Sequence, residues 1–339
     1  MSSRDRLENK IEVYLKGGLL EYFDLPAGTD CAIQEKIVAN YNINYIVRVG
    51  HAPYVLRVNV EQQSGLETQI EYEYKTLKYL STFGIVPRTY FMDNSRSLIP
   101  YDFLVQDFIE GEHVNFDDRK GIGDAARVLA TLHMTPLPED DFLCVYHNPL
   151  RDLYSELTEM YTRYKERKSS DRKLVSGGSE LLEELEKEVP RYEMRFTADS
   201  IVHTDCVNDN FIRSPRGIKI VDWEKPRVDD ATYDICVYIG RPPQIWISPR
   251  VMTEEEREDF LQEYCAARKM DKTLLEEKIR VRQPFVSFRW ILWGAHRTAD
   301  ADEGTISPEL FDFHLNHYER YKRVCAVENV EHLLSTYFP

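Results

Sequence analysis

Short runs of β-branched and aromatic residues alternate with turn-forming stretches over the first hundred positions. Residues 32–39 (AIQEKIVA), 45–49 (YIVRV) and 54–60 (YVLRVNV) read as strands, separated by NYNIN and GHAP. After Ser64-Gly65 the period lengthens to that of a helix over 66–82. Leu66, Ile70, Leu77 and Leu80 share one face, and Gly84 follows as a stop. Strand-like runs return at 88–92 and 102–109 (DFLVQDFI), closed by Glu110-Gly111. Beyond residue 117 the pattern is mainly helical, with candidate helices at 120–135, 150–168, 179–189, 230–240, 253–268, 271–298 and 307–326. The polar stretch 168–178 (KSSDRKLVSGG) reads as an exposed loop. One island interrupts the helices at 200–222: SIVH, a polar loop, FIRS, the turn Ser214-Pro215-Arg216-Gly217, then IKIVDW. The pattern predicts an α+β chain: a small sheet-rich lobe over 1–108, then a larger helical lobe over 109–339 with an embedded hairpin.

Composition narrows the partners. The 339 residues carry 43 Lys+Arg against 58 Asp+Glu, a formal charge of −15, and 42% are apolar. A sizeable core is affordable, and general disorder is excluded. The acidic excess argues against nucleic acid or an anionic membrane surface as a partner. A basic or polyhydroxylated small molecule remains compatible, and so does a metal–nucleotide complex, whose cation offsets the phosphate charge. The six cysteines (Cys31, Cys144, Cys206, Cys236, Cys265 and Cys325) form no CxxC pair and read as reduced thiols. The opening MSSRDRLENKIEVYL has no signal-peptide core, and no window approaches 18 uninterrupted apolar residues. A cytoplasmic, soluble protein is expected.

The island carries the chemistry. His203-Thr204-Asp205-Cys206-Val207-Asn208-Asp209-Asn210 is followed, twelve residues past Asn210, by Asp222-Trp223-Glu224. Phosphoryl transfer needs an acidic group near the acceptor hydroxyl, plus amide and carboxylate oxygens for Mg²⁺ on the nucleotide phosphates. His-x-Asp-x4-Asn supplies the first carboxylate and the amide from one loop, and the Asp ending the next strand supplies the second carboxylate. Taken singly, each of these residues is an ordinary turn or cap residue; the spacing and the strand context make the set specific. On the helix 66–82, Glu73 lies −7, −3, +4 and +7 from its apolar neighbours when counted to Leu66, Ile70, Leu77 and Leu80. A carboxylate inside an apolar stripe demands a partner, and Arg57 on a strand of the same lobe is the natural one.

HTDCVNDN followed by IVDWE resembles the catalytic segment of the aminoglycoside phosphotransferase and choline kinase family, relatives of the protein kinases. VLR at 55–57 resembles the phosphate-contacting strand, and IEYEYKTLKYLSTFGIVPR at 70–88 the helix with the partner glutamate. LVQDFIEG at 104–111 looks like the hinge, and ARVLATLH at 126–133 is similar to the first large-lobe helix. Residues 250–339 match no family motif. The resemblance implies a bilobal kinase-like fold: a five-stranded antiparallel sheet with one helix, a hinge near Gln106–Gly111, and a larger helical lobe. It also implies Mg²⁺-assisted transfer of the γ-phosphate of ATP or GTP to a hydroxyl of a small molecule. In that scheme Asp205 is the base, and Asn210 and Asp222 hold the metal. Arg57, positioned by Glu73, steadies the phosphates, Asn44 belongs to the nucleotide-covering loop, and main-chain groups around Gln106 and Phe108 receive the base. His203 is read as a brace of the catalytic loop, Asp234 as packing under it, and His133 as a helix-end or core histidine.

Three departures stand out. Arg57 replaces the usual Lys of protein kinases, exchanging a point charge for a planar fork. The stretch 38–45 contains no glycine, although Asn42 and Asn44 suit left-handed turn geometry. Thr204 stands where many relatives carry Gly. These features slightly favour the alternative of a nucleotide-binding scaffold with weak or no transfer activity, which the intact set of Asp205, Asn210 and Asp222 disfavours. A protein kinase is the other alternative, disfavoured by the lack of an activation segment of usual length after Asp222 and of an AlaProGlu-like anchor. For the acceptor, the acidic loops read at 229–230 and 300–303 and Glu224 suggest a neutral or cationic amino alcohol, amino sugar or nucleoside-like molecule. Its candidate contacts are Glu224, Asp302, and Trp290 with Trp293, whose helical spacing also fits a core role.

Overall fold

The computed structural model describes residues 3–63, 66 and 68–339, with side chains from Leu7 onward. The Ser64-Gly65 pair expected to precede the helix lies outside the described residues. The chain forms two compact units. The first takes the residues up to Glu110 and adds Trp223–Lys225 and Ile306–Leu315; the second comprises Gly111–Asp222, Pro226–Thr305 and Asn316–Pro339.

The first unit holds the expected five-stranded antiparallel sheet. Its strands are β1 (Cys31–Val38), β2 (Asn42–Val49), β3 (Ala52–Asn59), β4 (Thr89–Asp93) and β5 (Phe103–Asp107), in the spatial order β1-β2-β3-β5-β4. Gly50, at φ 61, makes the two-residue turn between Val49 and Ala52. A helix not expected from the sequence precedes the sheet: α1 (Ser3–Tyr14), continued by a π-turn (Leu15–Leu19) and the short α2 (Leu20–Tyr22). Leu7, Ile11, Leu15 and Leu19 recur every fourth residue and join Val47, Leu56, Val58 and Phe103 in one core cluster. Helix α3 (Gln69–Leu80) is shorter than the periodicity suggested. A 3₁₀ turn, Ser81–Phe83, and Gly84 at φ 71 end it. Asn42 and Asn44 lie in β2, in register with Asn59 and Arg57, and neither takes a positive φ. The glycine-free covering loop is thus corrected to residues 39–41, because the buried Ile43 and Tyr45 draw the flanking asparagines into the strand.

The second unit is mainly helical: α4 (Arg119–His133), α5 (Pro149–Lys165), α6 (Arg172–Tyr192), α7 (Thr232–Ile239), α8 (Arg241–Ile247), α9 (Glu254–Arg268), α10 (Lys272–Glu303), α11 (Phe311–Val324) and α12 (Val327–Tyr337). The N-terminal five residues of α11 belong to the first unit. Helix starts follow side-chain caps, with Asp118, Asn148, Asp171 and Asp271 accepting first-turn N–H groups and Thr253 with Glu256 forming a capping box. Two expectations are corrected here. Most of the 168–178 stretch is helix, because Asp171 caps α6 and Leu174, Leu181, Leu182, Leu185 and Val189 bury one stripe. The acidic run 300–303 is the last turn of α10, closed by Gly304 at φ 67, not a loop. Between the helices lie β6 (Glu112–His113), β7 (Ser200–Val202), β8 (Phe211–Ser214), β9 (Gly217–Ile220) and β10 (Arg227–Asp229). They form the sheets β6-β8-β9 and β7-β10. Among the described residues no helix is long and apolar enough to cross a membrane, and no disulfide links the six cysteines.

Candidate active site

Strand β7 delivers the chain into the loop 203–210, and two buried groups shape it. Asp234 on α7 accepts the N–H of His203 at 2.7 Å and that of Thr204 at 2.8 Å, and His133 Nε2 lies 3.1 Å from the same carboxylate. Burial alone would raise Asp234, but the hydrogen bond and charge of His133, with His203 beside it, hold it below the usual carboxylate range. His133 in turn meets Tyr264 Oη at 2.8 Å, so it belongs to the support of the loop. Thr204 takes φ 71, a region costly for a β-branched residue, and its N–H bond to Asp234 helps to hold it there. A glycine would reach this geometry without strain.

His203 is fully buried, and burial pushes its imidazole below the ordinary value, so the neutral form bridges the loop. Nε2 donates to Val221 O at 3.0 Å, while Nδ1 accepts the Asp205 N–H at 3.3 Å. The same strand end is tied by Val221 N to Asn210 O at 2.9 Å. The backbones of Asp205, Asn210 and the Val221-Asp222 step are therefore held together by short, named bonds. Asp222 itself takes φ 68, which Asp tolerates better than most residues.

Asn210 Nδ2 donates to Asp205 O at 2.8 Å and to Asp205 Oδ2 at 3.2 Å. The other carboxylate oxygen, Oδ1, is buried without a hydrogen-bond partner. Burial first and the charge of Asp222 second push Asp205 up to about 7, against the opposing Asn210 hydrogen bond and the Arg289 charge. A carboxylate raised to that range is suited to take a proton near neutral pH. With Nδ2 committed to Asp205, Asn210 keeps its amide oxygen, and Asp222 adds a carboxylate. One amide and one carboxylate, both hard oxygen donors, fit Mg²⁺, which takes few protein ligands and leaves the remainder to water and phosphate.

In the first unit, the partnership expected from the apolar stripe is present. Arg57 is 2% exposed and Glu73 1%, and Arg57 Nε donates to Glu73 at 3.0 Å. Arg57 Nη1 reaches Asn44 Oδ1 at 3.3 Å, and Nη2 reaches Glu224 Oε1 at 2.9 Å. Glu224 also accepts from Asn42 and Gln63. Its assignment to the acceptor is therefore corrected: Arg57 draws it into the first unit, although it follows Asp222 by only two residues. Gln106 lies in β5 in register with Val55 and Thr89, its buried Oε1 without a hydrogen bond, and Phe108 follows the strand half-buried.

Of the remaining acceptor candidates, the two tryptophans take the core role that their helical spacing also fits. Trp290 is 6% exposed with Nε1 unbonded, and Trp293 packs edge-on against Trp246, itself stacked on Tyr321. These rings form an aromatic cluster rather than an open cation-binding face. Asp302 is exposed and accepts from Tyr318 Oη at 2.6 Å. Its neighbours Asp300 and Glu303 pair with Arg167, and Asp300 also with Arg297. Asp229 and Asp230 are buried, paired with Arg227, Arg282 and Lys278. Asp229, Asp230, Asp300 and Glu303 are thus neutralised by cations of this chain, while Asp302 meets a neutral hydroxyl. Sequence reasoning missed Arg227 on β10 and, joined to it, Glu156 on α5 and Arg289 on α10. Arg289 carried a readable signal, a charge inside the apolar run FVSFRWILW.

Comparison with known proteins bears on the family and the fold. The model of the phosphotransferase enzyme family matches residues 37–276. The fold is similar to that of a choline kinase from Cryptosporidium parvum Iowa II, at 16% identity and a TM-score of 0.63, over 97% of this chain and 100% of that one. An ethanolamine kinase from Plasmodium vivax aligns at 18% identity and a TM-score of 0.62, over 93% of this chain and 88% of that one. A spectinomycin phosphotransferase in complex with ADP and spectinomycin aligns at 14% identity and a TM-score of 0.59, over 93% and 97%. No curated protein matches the chain by sequence.

Proposed function

The chain belongs to the phosphotransferase enzyme family, and from that premise we propose that it moves the γ-phosphate of ATP or GTP to a hydroxyl group of a small molecule. The observation that carries the proposal is Asp205. Its Oδ1 is buried and unbonded, its Oδ2 is held by Asn210, and its acidity is shifted toward neutrality. Asp205 Oδ1 accepts the hydroxyl proton as the acceptor oxygen bonds to phosphorus, and the bond from phosphorus to the nucleoside diphosphate breaks. Asn210 and Asp222 would hold Mg²⁺, which when bound neutralises charge on the phosphates. Arg57, oriented by Glu73, steadies the phosphates with a planar donor fork, and main-chain groups near Gln106 and Phe108 receive the base. His203 and Asp234 act through the loop they brace.

Turnover and nucleotide affinity measured on Asp205→Asn test this reading. Transfer should fall by roughly a hundred- to ten-thousand-fold, the usual yield of a positioned base, while nucleotide affinity stays within a few-fold. Turnover like that of the unaltered protein would remove Asp205 from the mechanism.

A further inference from the structure

Beside the catalytic loop, β10 carries a charged cluster to which the phosphoryl transfer just described assigns no task. Arg227 lies opposite Val202 on β7, three residues before Asp205. Its guanidinium is held between the rings of Tyr146, 3.8 Å from the centroid, and Tyr233, 4.2 Å away. Nε donates to Asp229 Oδ2 at 3.0 Å and Nη2 stands 2.9 Å from the same oxygen, yet Nη1 and Nη2 are buried without a hydrogen bond. The Tyr233 hydroxyl is likewise buried and unbonded. Glu156 on α5 joins this group to α10. It accepts from Tyr146 Oη at 2.8 Å and from Arg289 Nε at 2.9 Å, and lies 3.6 Å from Arg227 Nη1.

Asp229 is shared by Arg227 and Arg282, and Asp230 by Arg282 and Lys278. Glu156 alone serves Arg289 and the free edge of Arg227. Of the two arginines that Glu156 serves, Arg289 is the one that keeps contact with solvent. Its Nε is tied down, its terminal nitrogens have no partner among the described residues, and its side chain keeps 15% of its surface exposed. A guanidinium so placed is a preformed fork for a planar oxyanion. Its charge also reaches Asp205, whose acidity it opposes burial in setting.

Resting on the phosphotransfer reading above, we infer that Arg289, held by Glu156, recognises an anionic oxygen group on the acceptor, a carboxylate or a phosphate, and so selects acidic hydroxyl compounds over amines. Asp229, Asp230, Asp300 and Glu303, which would otherwise draw an amine, are already paired with cations of the chain.

The test is a panel of acceptors of similar size with Mg²⁺ and ATP: glycerate, glycerol 3-phosphate, glycerol, ethanolamine and choline. Glycerate or glycerol 3-phosphate should exceed glycerol in kcat/KM by roughly ten-fold or more, and the amines should rank last. The first two arms distinguish a carboxylate from a phosphate preference. In Arg289→Gln the ratio of the better acidic acceptor to glycerol should fall roughly ten- to a hundred-fold, and Arg289→Lys should restore part of it. Any change that loss of Arg289 makes to Asp205 affects all acceptors alike and cancels in that ratio. The ranking in the unaltered protein needs no variant to fold. An amine ranked first, or a ratio unchanged in Arg289→Gln, overturns the inference while leaving phosphotransfer intact. Absence of transfer to hydroxyl compounds of every charge overturns the phosphotransfer reading itself.

Discussion

Asp205→Asn should make the metal-free protein more stable while it abolishes transfer. The folded chain holds Asp205 at about 7, against 3.8 for an unperturbed Asp, mainly through burial and the Asp222 charge. Three units at about 1.4 kcal/mol each set a ceiling of about 4 kcal/mol on the cost of ionising this group in the fold. Asparagine removes that cost and keeps an oxygen for Asn210 Nδ2, giving up about 1 kcal/mol of charge assistance in that bond. A net gain of about 2–3 kcal/mol is expected at pH 8. The sign follows from linkage: with the folded pKa raised, the native state keeps a proton that the unfolded chain has released. The contribution of Asp205 is therefore favourable below 3.8 and is lost as pH rises to about 7. The gap between variant and parent should open across this window and stay flat above it. Thermal unfolding without Mg²⁺ at pH 5 and pH 8 measures both gaps, and the second should exceed the first by about 2 kcal/mol. A variant less stable than its parent at pH 8, or an equal gap at both values, refutes the reasoning.

Asp222→Ala should lose the Mg²⁺-dependent part of nucleotide affinity, so that calorimetry gives the same constant with Mg²⁺ and with EDTA; a surviving difference points to another ligand. Asp234→Asn should lower stability by about 3 kcal/mol, because an amide cannot accept the His203, Thr204 and His133 donors together. Denaturant midpoints check this, and since Asp234 sits below its ordinary value, the difference from the parent should shrink only as pH falls below about 4. Gly178→Ala, despite the better helix propensity of Ala, should destabilise by about 1 kcal/mol or more, since the new Cβ would stand 3.1 Å from the Tyr161 ring and 3.2 Å from Phe288. A rise in the unfolding temperature of that variant would mean that the two rings move aside.

The parts of the molecule written locally were legible. The strands of the first unit alternate along short runs bounded by turn residues, and Glu73 announced its buried partner by its place in an apolar stripe. Asp205, Asn210 and Asp222 could be grouped because one loop and one hairpin span them. Features that depend on what packs alongside were not. Leu7, Ile11, Leu15 and Leu19 recur at helical spacing, but charged neighbours outweighed them until the sheet supplied a surface to cover. Gly177-Gly178 reads as a breaker, whereas Gly178 serves the close approach of Tyr161 and Phe288 to α6. Glu224 follows Asp222 by two residues, yet its side chain answers to Arg57, a residue 167 positions away. Sequence adjacency says nothing about which cation a carboxylate will find.

Charge shows the same limit most sharply. A formal charge of −15 describes the chain at long range, where it disfavours a polyanionic partner. At a site, only unpaired charges matter. A carboxylate about 3 Å from a guanidinium presents a dipole, whose field falls away faster than that of a lone charge and is screened further by salt. Asp229, Asp230, Asp300, Glu303 and Glu224 are all spent in this way, on Arg227, Arg282, Lys278, Arg167, Arg297 and Arg57. Near Asp205, Glu156 is shared between Arg289 and Arg227. The inferred preference for an anionic acceptor accordingly rests on one arginine and not on the net charge of the chain.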